Sequence, residues 1–97
     1  MIKSFKGSAT KDIFDGNATR AARALCPEAL HEEARRKLQQ VDRATNVLEL
    51  REPPENDLHP TVGHWGGQYQ IHIRGPYHVS FRWPGTQPED VQITDMH

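Results

Sequence analysis

The sequence predicts an α+β fold in which a small antiparallel sheet is covered on one face by helices. The main observation is an alternation of apolar and polar residues over residues 69–74 and again over residues 77–83. A period of two is typical of strands with one buried face. The second observation is a set of apolar residues at helical spacing in the N-terminal half, which indicates a helix docked on that sheet.

The chain is expected to begin with a short strand over residues 2–6. A helix over residues 8–14 follows, with Ser8 or Thr10 as its cap. The turn-forming residues 15–17 end this helix.

A second helix is predicted to begin near residues 18–19, and a longer one begins at Pro27, which suits a first helical position. Its buried stripe is spaced by three or four residues and consists of Leu30, Ala34, Leu38 and Val41. Residues 44–50 continue as a short helix that Pro53-Pro54 stops. The single Cys26 reads as a small apolar residue before the helix.

Two strands separated by Gly75-Pro76 predict an antiparallel hairpin. One face carries the aromatic and aliphatic side chains, and the other carries two histidines and two arginines. A third strand is predicted over residues 91–94. Residues 53–67 and 83–90 read as loops because they are rich in Pro, Gly, Asn and Asp.

Length and composition bound the class of protein. The 97 residues predict a single domain, residues 1–97. No apolar run approaches the roughly 18 residues of a membrane span, and charged residues near the N-terminus argue against a signal peptide. One cysteine excludes an internal disulfide and is compatible with the reducing cytoplasm. We therefore expect a cytoplasmic protein.

Charge is distributed unevenly along the chain. The formal net charge is −1, from twelve Lys/Arg and thirteen Asp/Glu. Only two arginines, but five of the six histidines, lie after residue 52. The C-terminal half is thus poor in permanent cations and rich in groups that titrate near neutrality.

The order of short motifs resembles one known family. The motifs PP-x-N-x-L, GQY-x-I, F-R-W and a final D-x-H occur at residues 53–58, 67–71, 81–83 and 95–97. In this order they are similar to the HigB family of bacterial toxins, a branch of the RelE-like ribonucleases. The resemblance implies a RelE-like fold, with an N-terminal strand, a C-terminal three-stranded meander and two or three helices on one face.

The resemblance also implies catalytic residues. HigB toxins use a loop histidine and the aspartate and histidine of the terminal motif, which match His59, Asp95 and His97. Metal-free RNA cleavage needs a base, an acid and cations around the phosphate, and imidazole suits both proton roles. His59 and His97 are candidates for base and acid in either order, and Asp95 is expected to orient an imidazole. No cofactor or metal is expected.

The chain departs from the family pattern at four positions. His72 and His78 stand where the family has arginines, Val62 where many members have lysine, and Met96 where the family has tyrosine. We expect these residues, except Val62, to take part in substrate binding. If the two histidines replace arginines, RNA binding should strengthen as the pH falls through about 6.5.

Two arginines complete the predicted substrate-binding set. Arg82 is expected to contact phosphate or ribose because it projects from the polar face of the hairpin. Arg74 is a partial replacement for the cations that are missing.

Three functions remain open from the sequence. The first is a ribosome-dependent mRNA endonuclease held inactive by a HigA-like helix-turn-helix antitoxin, with operator DNA bound only through that antitoxin. The second is a catalytically weakened homologue that acts mainly through antitoxin binding and co-repression. The third, a metal-binding module, rests on six histidines that lack compact ligand spacing.

Overall fold

The computed structural model describes residues 1–61 and 68–95. Over these ranges the chain forms three α-helices: α1 (Ser8–Phe14), α2 (Arg20–Leu25) and α3 (His31–Arg43). It also forms four antiparallel strands: β1 (His59–Pro60), β2 (Gln68–Arg74), β3 (Tyr77–Arg82) and β4 (Glu89–Asp95). The strands lie in the sheet in the order β1-β2-β3-β4. The predicted α+β class is confirmed.

Helix α3 covers one face of the sheet. Its predicted stripe is correct, since Ala34, Leu38 and Val41 are fully buried and Leu30 is half-buried at the helix start. The sheet faces this stripe with the apolar half of each alternation. The buried apolar residues of the strands are Ile71, Ile73, Val79, Phe81, Val91 and Ile93, and Trp83, directly after β3, is buried with them. The aromatic side chains on the apolar side of the alternation therefore pack in or against the core.

The hairpin between β2 and β3 is built as predicted. Gly75 has a φ of 57°, in the left-handed region where the absence of a Cβ removes the steric cost. The register then pairs Ile71 with Val79 and His72 with His78. This register decides which polar side chains become neighbours.

The prediction of a regular first strand over residues 2–6 is wrong. The segment is extended, but it makes a single bridge, between Phe5 and Val91, and the bridge is parallel. The backbone N–H of Lys3 donates to the Pro88 carbonyl, and that of Val91 donates to the Ser4 carbonyl. Because the apolar residues of this segment do not alternate with polar ones, the segment pairs only in part with the outer edge of β4.

The cap predicted for α1 is also wrong. Gly7 occupies the cap position and offers no side chain. Thr10 is instead buried, and its Oγ1 accepts a hydrogen bond of 3.0 Å from the backbone N–H of Ile93. A residue that the sequence assigned to a helix end therefore joins α1 to β4.

The connections on either side of α3 differ from the predictions. Pro27 precedes a 3-10 turn, Glu28–Leu30, and α3 begins only at His31. The ring of His31 donates from Nε2 toward the carbonyls of Ala22 and Cys26, at 3.2 and 2.9 Å, which ties the end of α2 to the start of α3.

After α3, the predicted helix over residues 44–50 is instead a 3-10 helix, Val47–Arg51. The segment over residues 53–67 was predicted to be a loop. Its described part contains a further 3-10 helix, Pro54–Asn56, and strand β1.

Candidate active site

The face of the sheet turned away from α3 is polar, and the strand register arranges its side chains in rows. We call this surface the polar face. Its central row is His59, Gln70, Ser80 and Gln92. The next row is His72, His78 and Thr94. The rows form because residues of the same parity on paired strands project to the same side of the sheet.

Among the described residues, three imidazoles lie on the polar face. His59 is opposite Gln70, so it is the diagonal neighbour of His72, and such neighbours lie about 7–8 Å apart. His72 in turn pairs with His78, and their ring centroids are 5.0 Å apart. The fold thus aligns histidines from β1, β2 and β3 across one surface.

Both ring nitrogens of His59 are engaged. Nδ1 lies 2.7 Å from the carbonyl oxygen of Asp57, and Nε2 lies 2.8 Å from the amide nitrogen of Gln70. A carbonyl oxygen can only accept, so Nδ1 carries the proton. Nε2 then accepts from the Gln70 amide, and His59 is neutral in this arrangement. The Asp57 carboxylate lies 4.0 Å from Nδ1.

Gln70 itself is buried, with 5% of its surface exposed. Its nitrogen contacts His59, but no donor in the described part of the chain reaches its oxygen. A buried carbonyl without a donor costs about 1–3 kcal/mol. The Gln70 amide therefore keeps its contact with His59 although its own oxygen is left without a donor among the described residues.

Asn56 holds the segment that carries His59. The side chain is fully buried, and its two N–H groups are shared among the Gln40 side-chain oxygen and the carbonyls of Leu50 and Glu52, at 2.9, 3.1 and 3.2 Å. Its oxygen accepts from Lys37 on α3. Four contacts on one amide clamp the chain against α3 three residues before His59.

Asp57 turns the chain from this clamp into β1. Its φ of 50° lies in the left-handed region, which aspartate tolerates better than most residues. Because the backbone turns here, the Asp57 carbonyl points at the ring of His59, two residues further on.

The paired histidines are each held by a backbone carbonyl of the hairpin turn. Nε2 of His72 donates to the Gly75 carbonyl at 3.0 Å, and Nδ1 of His78 donates to the Pro76 carbonyl at 3.1 Å. Each ring therefore keeps one nitrogen as a donor, and protonation of the other nitrogen would make it a cation. The turn fixes both ring orientations.

The two arginines predicted to bind substrate are paired with carboxylates. Arg82 donates to Asp90 at 3.0 Å and lies 3.9 Å from Glu89. Arg74 makes two bonds of 3.1 Å to Glu33 on α3. A phosphate would have to compete with these carboxylates for either guanidinium.

Asp95 lies far from His59. It ends β4 opposite Tyr77, whereas His59 is in β1 at the other edge of the described sheet. Three strand spacings separate the two edges, a distance of about 14 Å. Asp95 also has the parity of Ile93, which faces the helices. Met96 and His97 lie outside the described residues, as does Val62.

Shifted pKa values occur in the supporting framework. Burial raises the pKa of the Cys26 thiol, which agrees with a packing role for that residue. The backbone N–H and hydroxyl of Thr45 lower the pKa of Glu49, because both donate to its carboxylate. These contacts stabilise the turn between α3 and the following 3-10 helix.

Sequence reasoning missed Gln70 and Asp57, which both contact His59. Gln70 has the polar parity of its strand, but its contact depends on the pairing of β1 with β2, which was not predicted. Asp57 was visible only as one of several turn-forming residues. Asn56 was noticed as part of a motif, and its role as a clamp required the fold.

A comparison with protein families found a match that covers residues 3–97. The family is described as the RelE-like toxin of the type II toxin-antitoxin system HigB. The chain belongs to this family.

Membership of the HigB family agrees with the α+β fold and implies a toxin that has an antitoxin partner. A search of curated proteins returned no match. Over residues 1–61 and 68–95, no group of three or more His, Cys, Asp or Glu side chains is arranged to hold a metal ion. None of the helices described in those ranges is long and apolar enough to cross a membrane.

Proposed function

We propose that this HigB-family toxin is an mRNA endoribonuclease that acts on the ribosome by metal-free acid–base catalysis. The observation that carries the proposal is the line of imidazoles on the polar face, from His59 through His72 to His78. Imidazole can donate or accept a proton near neutral pH and can carry positive charge toward a phosphate. Membership of a toxin family supports the same conclusion.

The proposed reaction needs no co-reactant beyond RNA. One imidazole takes the proton of the ribose 2′-OH, and the 2′-oxygen attacks the adjacent phosphorus. The bond from phosphorus to the 5′-oxygen breaks, and a protonated imidazole gives its proton to that oxygen. The products are a 2′,3′-cyclic phosphate and a 5′-hydroxyl, and cations stabilise the charge that develops on the phosphorane.

We assign the two proton roles to His59 and His97, without choosing between base and acid. Asp95 is proposed to orient an imidazole. His72, His78, Arg82, Arg74 and Met96 are proposed to contact the substrate. The proposed partners are a HigA-like helix-turn-helix antitoxin and mRNA on the ribosome in the cytoplasm, with operator DNA reached only through the antitoxin.

Induction of the protein alone in bacteria tests the proposal. We expect the parent to arrest growth and the His59→Ala and His97→Ala variants to be harmless at the same protein level. A Lys11→Ala variant, changed on an exposed position of α1, should remain toxic. The protein must carry no C-terminal tag, which would extend the chain beyond His97. Equal toxicity of parent and histidine variants would exclude these residues from catalysis.

A second candidate function is a weakened toxin that acts mainly by binding its antitoxin. The pairing of Arg82 with Asp90 and of Arg74 with Glu33 favours it, because both guanidinium groups already have anionic partners. A harmless parent protein that still forms a stable complex with the antitoxin would support this role against the first.

A further inference from the structure

The contact between Gln70 and His59 bears directly on proton transfer. A neutral imidazole has one ring nitrogen that can accept a proton, and in His59 this nitrogen is Nε2. The Gln70 amide donates to that nitrogen at 2.8 Å. The position that a ribose hydroxyl would have to occupy is therefore already taken by a group of the protein itself.

The other ring nitrogen offers no alternative. Nδ1 is held by the Asp57 carbonyl at 2.7 Å, within the same turn of chain. His59 thus cannot receive a proton from a substrate while both contacts are in place, although 42% of its side chain is exposed to solvent. The His59 ring is therefore exposed to solvent but has no nitrogen available to accept a proton.

We propose that Gln70 is an inhibitory cap on His59, which must be displaced before His59 can exchange a proton with RNA. The effect on cleavage rests on the proposed nuclease function, whereas the effect on the reactivity of His59 does not. Gln70 is buried beside His59 and is not proposed to touch the RNA itself.

The cap is built so that it can be opened. The Gln70 oxygen lacks a donor among the described residues, so the amide can turn away from His59 without breaking a second hydrogen bond. Protonation of His59 also changes the contact, because Nε2 then becomes a donor and the amide must present its oxygen. Among the residues that the structure describes, the groups that face His59 are the Asp57 carboxylate, Gln70 and, at the diagonal position on β2, His72.

Chemical acylation of His59 tests the cap without RNA. Diethyl pyrocarbonate transfers an ethoxycarbonyl group to an unprotonated imidazole nitrogen and releases ethanol and carbon dioxide. We expect the rate at His59, followed by peptide mass spectrometry, to rise about twofold to tenfold in a Gln70→Ser variant. Gln92→Ser, in the same row but not in contact with His59, is the matched control and should react like the parent.

A second variant separates loss of the hydrogen bond from loss of packing. Gln70→Met keeps the length of the side chain but has no N–H to donate. Faster acylation of His59 in both variants supports the cap. A parent-like rate in the methionine variant, with an unchanged circular dichroism spectrum, overturns it.

Cleavage of mRNA on translating ribosomes by the same variants links the cap to function. We expect Gln70→Ser to cleave RNA about twofold to tenfold faster than the parent, and His59→Ala to be inactive. If acylation rises but neither protein cleaves RNA, the nuclease proposal fails and the cap stands. If the parent cleaves RNA but the Gln70→Ser variant shows parent-like acylation and cleavage, the cap fails and the nuclease proposal stands.

Discussion

At the scale of single residues, the cations of the C-terminal half are less available than the sequence indicated. Arg82 lies between Asp90 and Glu89, and Arg74 is bound to Glu33. An arginine that already has a carboxylate partner gains less from a phosphate than a free one does. RNA affinity should therefore depend on which carboxylates are removed.

Asp90→Asn is expected to strengthen RNA binding by about twofold to fivefold, because it releases Arg82 from an ion pair of modest strength. Asn tolerates the left-handed backbone of Asp90, whose φ is 51°, so the turn should be kept. Fluorescence anisotropy with a short single-stranded RNA at low salt measures the change.

The control for this prediction is Asp15→Asn on α1, where the carboxylate pairs with Lys11 at 2.7 Å. It changes the net charge by the same amount and leaves Arg82 untouched. An equal gain in affinity in both variants would attribute the effect to net charge and contradict the role of Arg82.

At the scale of secondary-structure elements, the outer edge of β4 is closed by the N-terminal part of the chain. The segment around Phe5 pairs with Val91, and Thr10 from α1 accepts the N–H of Ile93. Exposed sheet edges invite pairing with other chains, so this cover protects the edge as well as stabilising it.

Thr10→Val is expected to lower the free energy of unfolding by about 1–3 kcal/mol, because it leaves the N–H of Ile93 buried without an acceptor. Thr10→Ser keeps the hydroxyl and should cost less than about 1 kcal/mol. Urea denaturation of both variants measures the difference. If the serine variant is the less stable of the two, the methyl group rather than the hydrogen bond is what matters at this position.

Asn56 determines how the segment before β1 is held against α3. Asn56→Ala removes the two N–H groups that serve three oxygens and also the acceptor of Lys37, so we expect a loss of about 2–4 kcal/mol in unfolding free energy. Asn46→Ala is the matched control. Asn46 is exposed and accepts one bond, from Leu48, so its loss should cost about 0.5–1 kcal/mol. Similar losses in the two variants would contradict the clamp.

At the scale of the whole molecule, the polar face carries three histidines among the described residues, His59, His72 and His78. Its positive charge should therefore vary with pH. From pH 8 down to pH 5.5 at fixed salt, we expect RNA affinity of the parent to rise, because an imidazole that gains a proton becomes a cation. The His72→Arg, His78→Arg double variant should bind more tightly at pH 8 and show a flatter pH profile. If RNA affinity changes equally with pH in the two proteins, His72 and His78 do not contribute to RNA binding.

The elements that the sequence predicted well are those whose burial follows from their own periodicity. The stripe on α3 and the alternation in β2 and β3 are correct because each pattern shows directly which side faces the core. The N-terminal segment and β1 could not be predicted in the same way. Phe5 and His59 obtain their pairing from partners distant in sequence, Val91 and Gln70, and no local pattern encodes that choice.

The parallel bridge between Phe5 and Val91 also bears on biosynthesis. More than eighty residues separate the two, so a growing polypeptide cannot complete the sheet until its last strand has left the ribosome. Until then the hairpin has an open flank, and the N-terminal segment has nothing to pair with. A premature stop before β4 should consequently yield material that proteases remove.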